Sequence, residues 1–189
     1  ITAANIAVTF TGETDTVTYN GSEQELTGIT PSGLLTGHTY EGLTYSAKGT
    51  NAGEYTGVFA GDVKILDADG TDVTENYAVT KTAGTLTIEK KSAEFVGETD
   101  TRTYTGVEQE LTGITPSGLL AGDTYSDLTY SAKGTNVGEY DGTFGGTVKI
   151  TNAGGTDVTE NYDVTQTEGK LTITAANIAV TFTGETDTV

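Results

Sequence analysis

Cysteine, methionine and tryptophan are missing from this chain, proline occurs twice and histidine once. Without cysteine there is no disulfide and no thiolate for metal or redox chemistry, and a single histidine does not build a zinc site. A serine nucleophile would have to rely on His38, which is Asp123 in an internal repeat described below, and no G-x-S-x-G elbow is present. Positive charge is equally scarce: 9 Lys+Arg stand against 27 Asp+Glu, a formal net charge of -18. Nucleic-acid binding needs a basic footprint and an anionic bilayer repels an acidic surface, so neither partner is expected. No apolar run approaches the roughly 20 residues of a spanning helix, and no membrane insertion is expected in this segment. Walker and dinucleotide phosphate cradles are missing along with their strand–helix context. With neither an initiator Met nor a signal peptide in view, the chain reads as a piece of something longer or as a processed product. These absences leave no catalytic residue, cofactor or metal to expect, and the chain reads as a non-enzyme.

What is present is threonine, glycine and tyrosine. Only 34% of residues are hydrophobic, against 26 glycines. That suits small modules, each burying only roughly 60% of its unfolded surface, better than one large core. Thr is the commonest residue, and its branched side chain fits a pleated, half-wet surface. Tyr supplies 10 of the 15 aromatics and favours positions where the ring packs and the hydroxyl stays wet. A cysteine-free chain fits the cytosol or a secreted protein without disulfides; the Thr/Gly/Tyr composition points outside the cell.

Internal repetition is the strongest signal. The run Gly12-Glu-Thr-Asp-Thr16 returns at Gly97 to Thr101, an offset of 85 residues. Residues 25–35 return unchanged at 110–120, Gly49-Thr-Asn51 returns at Gly134 to Asn136, and Gly70-Thr-Asp-Val-Thr-Glu-Asn-Tyr77 returns at Gly155 to Tyr162. About three quarters of the aligned positions are identical. A second layer lies above this: residues 1–17 are identical to residues 173–189, an offset of 172. The intervening junction, Ile88 to Phe95, is two residues shorter than its counterpart from Ile173 to Phe182. The expected units are therefore 1–88, 89–173 and the start of a third at 174–189. Ends that repeat so closely also suit exchange of terminal segments between neighbouring chains.

Within a unit, short runs alternate with period two: Ile6/Val8/Phe10, Val17/Tyr19, Leu43/Tyr45, Val63/Ile65, Tyr77/Val79 and Leu86/Ile88. Turn signals separate them, among them Asn20-Gly21 and Asp69-Gly70, which favour the positive φ of tight hairpins. No long 3.6-residue stripe appears, and residues 31–40 read as a structured loop with room for one helical turn. The expected fold is all-β: tandem small β-sandwich or β-grasp-like modules in an elongated array. Leu86-Thr-Ile88 runs to Phe95, and Leu171-Thr-Ile173 to Phe182, without Gly or Pro. That composition predicts a nearly continuous strand through each joint rather than a flexible coil.

Four patterns carry possible chemistry. Asp67, Asp69, Asp72 and Glu75 form an oxygen-rich loop around Gly70 that resembles a calcium site, but Asn152 and Gly154 replace two of its acids in the second unit, beside Asp157 and Glu160. It departs from the EF-hand spacing, and a solvated turn is the stronger reading. A Lys–Asn isopeptide crosslink would draw on Lys48, Lys64 and Asn76, or on Lys133, Lys149 and Asn161; Lys64 alternates with Val63 and Ile65 and so falls on the wet face. Asn20-Gly-Ser22 is a formal glycosylation sequon whose counterpart is Thr105, and it reads as a hairpin turn. Paired carboxylates for glycoside cleavage are not singled out by a surface this rich in acids.

The blocks Thr18-Tyr-Asn-Gly21, Gly33-Leu-Leu-Thr-Gly37, Asn51-Ala-Gly-Glu-Tyr55, Val73-Thr-Glu-Asn-Tyr77 and Gly84-Thr-Leu-Thr-Ile88 occur in order in the first unit and recur, with substitutions, in the second. The pattern resembles the MBG/YDG-type repeats of bacterial surface proteins. The resemblance implies Ig-like or grasp-like β modules in large secreted or wall-attached adhesins, with no catalytic residues. The expected function is a structural stalk or filament shaft on a microbial surface, where near-identical copies set length. Its partners would be adjacent copies of the same repeat. The alternatives are a module binding a glycan or host protein through repeated loops, with avidity, and a homopolymer held by strand addition.

Overall fold

The computed structural model describes residues 5–185. Among them every regular element is a strand, apart from two single-turn 3₁₀ helices at Thr74–Asn76 and Thr159–Asn161. The chain divides into two compact units. One holds residues 1–91 together with the strip 160–163; the other holds 92–159 and 164–189.

The first repeat supplies eleven strands: β1 (Ile6–Gly12), β2 (Asp15–Thr18), β3 (Gln24–Leu26), β4 (Ile29–Ser32), β5 (Thr39–Glu41), β6 (Thr44–Gly49), β7 (Gly53–Thr56), β8 (Val58–Ala60), β9 (Lys64–Leu66), β10 (Tyr77–Thr82) and β11 (Thr85–Glu89). They make small sheets in the orders β10-β1-β4, β2-β11-β7, β3-β6-β8 and β5-β9. Two of the ladders are parallel. β1 runs alongside β10, from Ile6 opposite Tyr77 to Thr11 opposite Thr82, and β2 runs alongside β11. Parallel neighbours cannot be joined by a tight turn, so the first and last strands of the repeat close on each other with all the rest between them. Pro31 lies in β4 opposite Phe10, at the outer edge of its sheet, where a missing N–H costs no ladder bond.

The period-two pattern predicts the buried face. Val8 and Phe10 of β1 join Ile65 of β9, Tyr77 of β10 and Leu43 in one core, with the Tyr40 ring edge-on to Phe10 at 4.8 Å. In the second repeat, β12 (Lys91–Gly97), β13 (Asp100–Thr103), β14 (Gln109–Leu111), β15 (Ile114–Ser117), β16 (Thr124–Gly134), β17 (Gly138–Asp141), β18 (Thr143–Thr151), β19 (Tyr162–Thr167) and β20 (Lys170–Thr174) repeat the sheet orders as β15-β12-β19, β13-β20-β17 and β14-β16-β18. Here β16 covers the span of β5 and β6; Asp127 takes the left-handed conformation (φ 61°) that Gly42 also takes in the first copy, and a bulge opposite β18 falls there.

Three expectations need correction. Asn20-Gly21 is not a hairpin: β2 and β3 on either side of it belong to different sheets, each with a longer partner in β11 or β6. Its turn is instead closed locally, with Asn20 Oδ1 accepting from the Ser22 N–H at 2.9 Å. The second difference concerns the joints. β11 ends at Glu89 and β12 begins at Lys91, so Lys90 alone intervenes, as the missing Gly and Pro predict. After β20, however, residues 175–185 form no strand, although residues 178–184 have the sequence of β1. A strand is held by its neighbours, and among the described residues this copy has no equivalent of β10 or β4 beside it. The predicted loop at residues 31–40 also proves to be partly strand, since β4 takes its first two residues and β5 its last two.

Candidate functional site

The acidic loop comes first. Asp67 Oδ1 accepts from the N–H groups of Asp69 and Thr71 at 3.0 and 2.9 Å, and Asp72 Oδ1 accepts from the Thr74 N–H and hydroxyl at 3.0 and 2.6 Å. The Thr74 oxygen in turn accepts from the Ile65 N–H at 2.8 Å, which fixes the turn against β9. In the second copy Asn152 takes the Asp67 role with the same bonds, to Gly154 and Thr156 at 3.0 and 2.9 Å. A neutral amide serves equally well, so this position needs an acceptor oxygen and not a charge. Asp67 and Asp72 each turn one carboxylate oxygen to the backbone of the loop, and no group of three or more His, Asp or Glu among the described residues converges to hold a metal ion.

Hydrogen bonds from Thr74 hold Asp72 below its ordinary value of 3.8, and those from Thr159 do the same for Asp157. Because the folded values are depressed, the contribution of these bonds is present above the unfolded value and is lost as pH falls through the folded ones. The acid limb of stability, below about pH 4, is expected to flatten in the double variant Asp72→Asn/Asp157→Asn. Urea midpoints at pH 3 and pH 6 check this; an unchanged difference between the two would contradict it.

His38 is committed to structure. Its Nδ1 lies 2.8 Å from the Tyr77 hydroxyl oxygen, which also accepts from the Leu35 N–H at 3.3 Å. The imidazole therefore pins the 33–38 loop to β10, and among the described residues no serine hydroxyl is bonded to it. The crosslink candidates do not meet either. Lys48 pairs with Glu23 at 3.4 Å and Lys149 with Asp157 at 4.0 Å, all four side chains being more than half exposed. Lys64 and Lys133 are exposed as well. The loss of ammonia that closes an isopeptide bond needs a desolvated lysine beside its amide, and these lysines are wet.

The one buried polar side chain among the described residues is Asn161, 4% exposed. It sits in the strip 160–163, which folds with the first unit. Its Oδ1 accepts from the Ala52 N–H at 2.7 Å and its Nδ2 donates to Asn51 Oδ1 at 3.0 Å. Next to it the Tyr162 ring stands edge-on to Tyr19, centroids 5.7 Å apart, and Lys90 pairs with Glu160 at 3.7 Å. The local fold explains the presentation: the 3₁₀ turn Thr159–Asn161 is tied down by Thr159, whose hydroxyl oxygen accepts from the Ile150 N–H at 2.8 Å. A buried amide with both functions satisfied is specific as well as stabilising, since losing either partner leaves a desolvated polar group. Sequence reasoning missed this role. The available signal was that Thr-Glu-Asn-Tyr and Gly-Thr-Asn end two runs that are unchanged between the copies, residues 70–77 against 155–162 and residues 43–51 against 128–136.

No protein-family model matches the chain, and no curated protein matches it. Among the described residues no helix is long and apolar enough to cross a membrane.

Proposed function

We propose that this chain is a spacer: tandem β modules forming part of the stalk or filament shaft of a microbial surface adhesin outside the cell, of the MBG/YDG type, without enzymatic activity. The observation that carries the reading is the passage from β11 to β12 through Lys90 alone. A joint with one residue between strands has little conformational freedom to lose and little slack to bend, which is what a spacer that transmits position requires. Near-identical repetition supports it, because copies that serve length need no individual sites. The surface charge keeps such modules soluble and apart, within a screening distance of roughly 8 Å at physiological salt.

Small-angle scattering and negative-stain microscopy of the purified chain test the proposal. The expected particle is an isolated, extended rod with a long tail in its distance distribution; a compact globule or a freely bending pair would sink it. A second reading, polymerisation by strand addition, is favoured by the exposed Ile178, Val180 and Phe182, one alternate face of a segment with the sequence of β1. Long fibres that vanish in Phe182→Asp would select that reading instead.

A further inference from the structure

From the seating of Asn161 we infer that each repeat carries two halves of a self-complementary joint, and that the surface around Tyr104, Asn136 and Val137 is the docking face for the Thr-Glu-Asn-Tyr strip of a following copy of this repeat. The inference deepens the spacer reading and rests on it for its biological meaning. In the first unit the acceptor half is complete and occupied: Tyr19, Asn51 and the Ala52 N–H are all engaged by Asn161 and Tyr162. Their counterparts at an offset of 85 are Tyr104, Asn136 and Val137.

Tyr19 and Tyr104 occupy the same repeat position, in Val-Thr-Tyr-Asn-Gly-Ser and Arg-Thr-Tyr-Thr-Gly-Val respectively, yet Tyr19 is 4% exposed and Tyr104 36%. Val137 is 57% exposed, and among the described residues no side chain accepts from its N–H. The presenting half is likewise idle at its other occurrence. Asn76, the counterpart of Asn161, is half-buried, and among the described residues its side-chain amide has no hydrogen-bond partner. An acceptor face and a presenting strip, each used once and each left open once, define a head-to-tail contact that propagates. Substitution of Ala52 by Val137 adds apolar surface at the centre of the open face. The joint after Ile173 is two residues longer than the one after Ile88, so a following strip has more reach, not less.

The test continues the intact chain in register. Because residues 173–189 repeat residues 1–17, appending a copy of residues 18–172 after Val189 gives a four-repeat chain. Amide hydrogen exchange is then read at Ala52 and Val137 in both chains. In the original chain Ala52 is expected to exchange slowly and Val137 fast. In the extended chain Val137 should slow on the order of 10- to 100-fold, toward Ala52. Replacing the third-repeat counterpart of Asn76 by Ala should restore fast exchange at Val137 and leave Ala52 unchanged. If Val137 stays fast in the extended chain, or slows but ignores that substitution, the inference is overturned. Scattering from the same extended chain separates the two ideas: an extended particle with fast Val137 removes the docking contact and leaves the spacer, whereas a compact particle removes the spacer.

Discussion

Phe10→Ala is expected to destabilise the first unit by about 3–5 kcal/mol, and Phe95→Ala the second by the same amount, whereas Phe182→Ala should change stability by less than about 0.5 kcal/mol. All three phenylalanines occupy the same repeat position, and Phe10 and Phe182 sit in identical seventeen-residue segments. Phe10 and Phe95 are wholly buried, each with a tyrosine ring edge-on at 4.8 or 5.0 Å, while Phe182 is 91% exposed. Truncating a buried ring forfeits its transfer energy and leaves a cavity that neighbouring strands, fixed by their ladders, fill poorly. Urea unfolding of the three variants measures the contrast. Equal losses at Phe10 and Phe182 would mean that the second copy of the segment is packed too.

Gly84→Ala should be nearly as damaging, about 3 kcal/mol, at the upper end of what overpacking costs. A methyl group there would fall 2.0 Å from the Glu13 carbonyl oxygen and 2.4 Å from that of Gly12. Neither oxygen belongs to a side chain that could swing aside. The Gly84 backbone is held from the other direction, its carbonyl accepting from Gly57 N–H at 3.0 Å, and the next N–H, of Thr85, donates to Thr14 Oγ1 at 3.1 Å. The clash falls where β1 hands over to β2, so relieving it would strain both parallel ladders. Gly169→Ala repeats the experiment in the second unit, against the Glu98 and Gly97 carbonyls at 2.2 and 2.3 Å. Gly70→Ala is the control: its φ of +80° is unfavourable to a side chain, but nothing lies within 4 Å, so only about 1 kcal/mol is expected. A Gly84 variant as stable as the Gly70 one would show that the handover can shift.

The buried face of each strand was legible because alternation is a property of the strand itself: Val8 and Phe10, Leu86 and Ile88 all point inward as their spacing predicts. The acidic loop was legible as a turn for the same local reason, since an Asp or Asn that accepts from the N–H two residues on needs nothing distant. Asn20-Gly21 was misread because the turn signal is local while the sheets on either side of it are not. The engaged role of Asn161 was hidden for a related reason. Its partners, Asn51 and Ala52, lie about a hundred residues away along the chain, and the identical Asn76 has no such bond.

The sequence by itself determined the all-β character, the 85-residue repeat, the inward-facing positions and the glycine turns, because each follows from side-chain period, backbone freedom or identity of copies. Only the tertiary structure decided which strands pair in parallel, that residues 160–163 fold with the first unit, and that one seven-residue sequence forms strand β1 at residues 6–12 but an exposed segment without strand at residues 178–184. A strand's ladder bonds and core contacts are supplied by residues far along the chain, so an identical local sequence folds differently where those residues do not come to meet it.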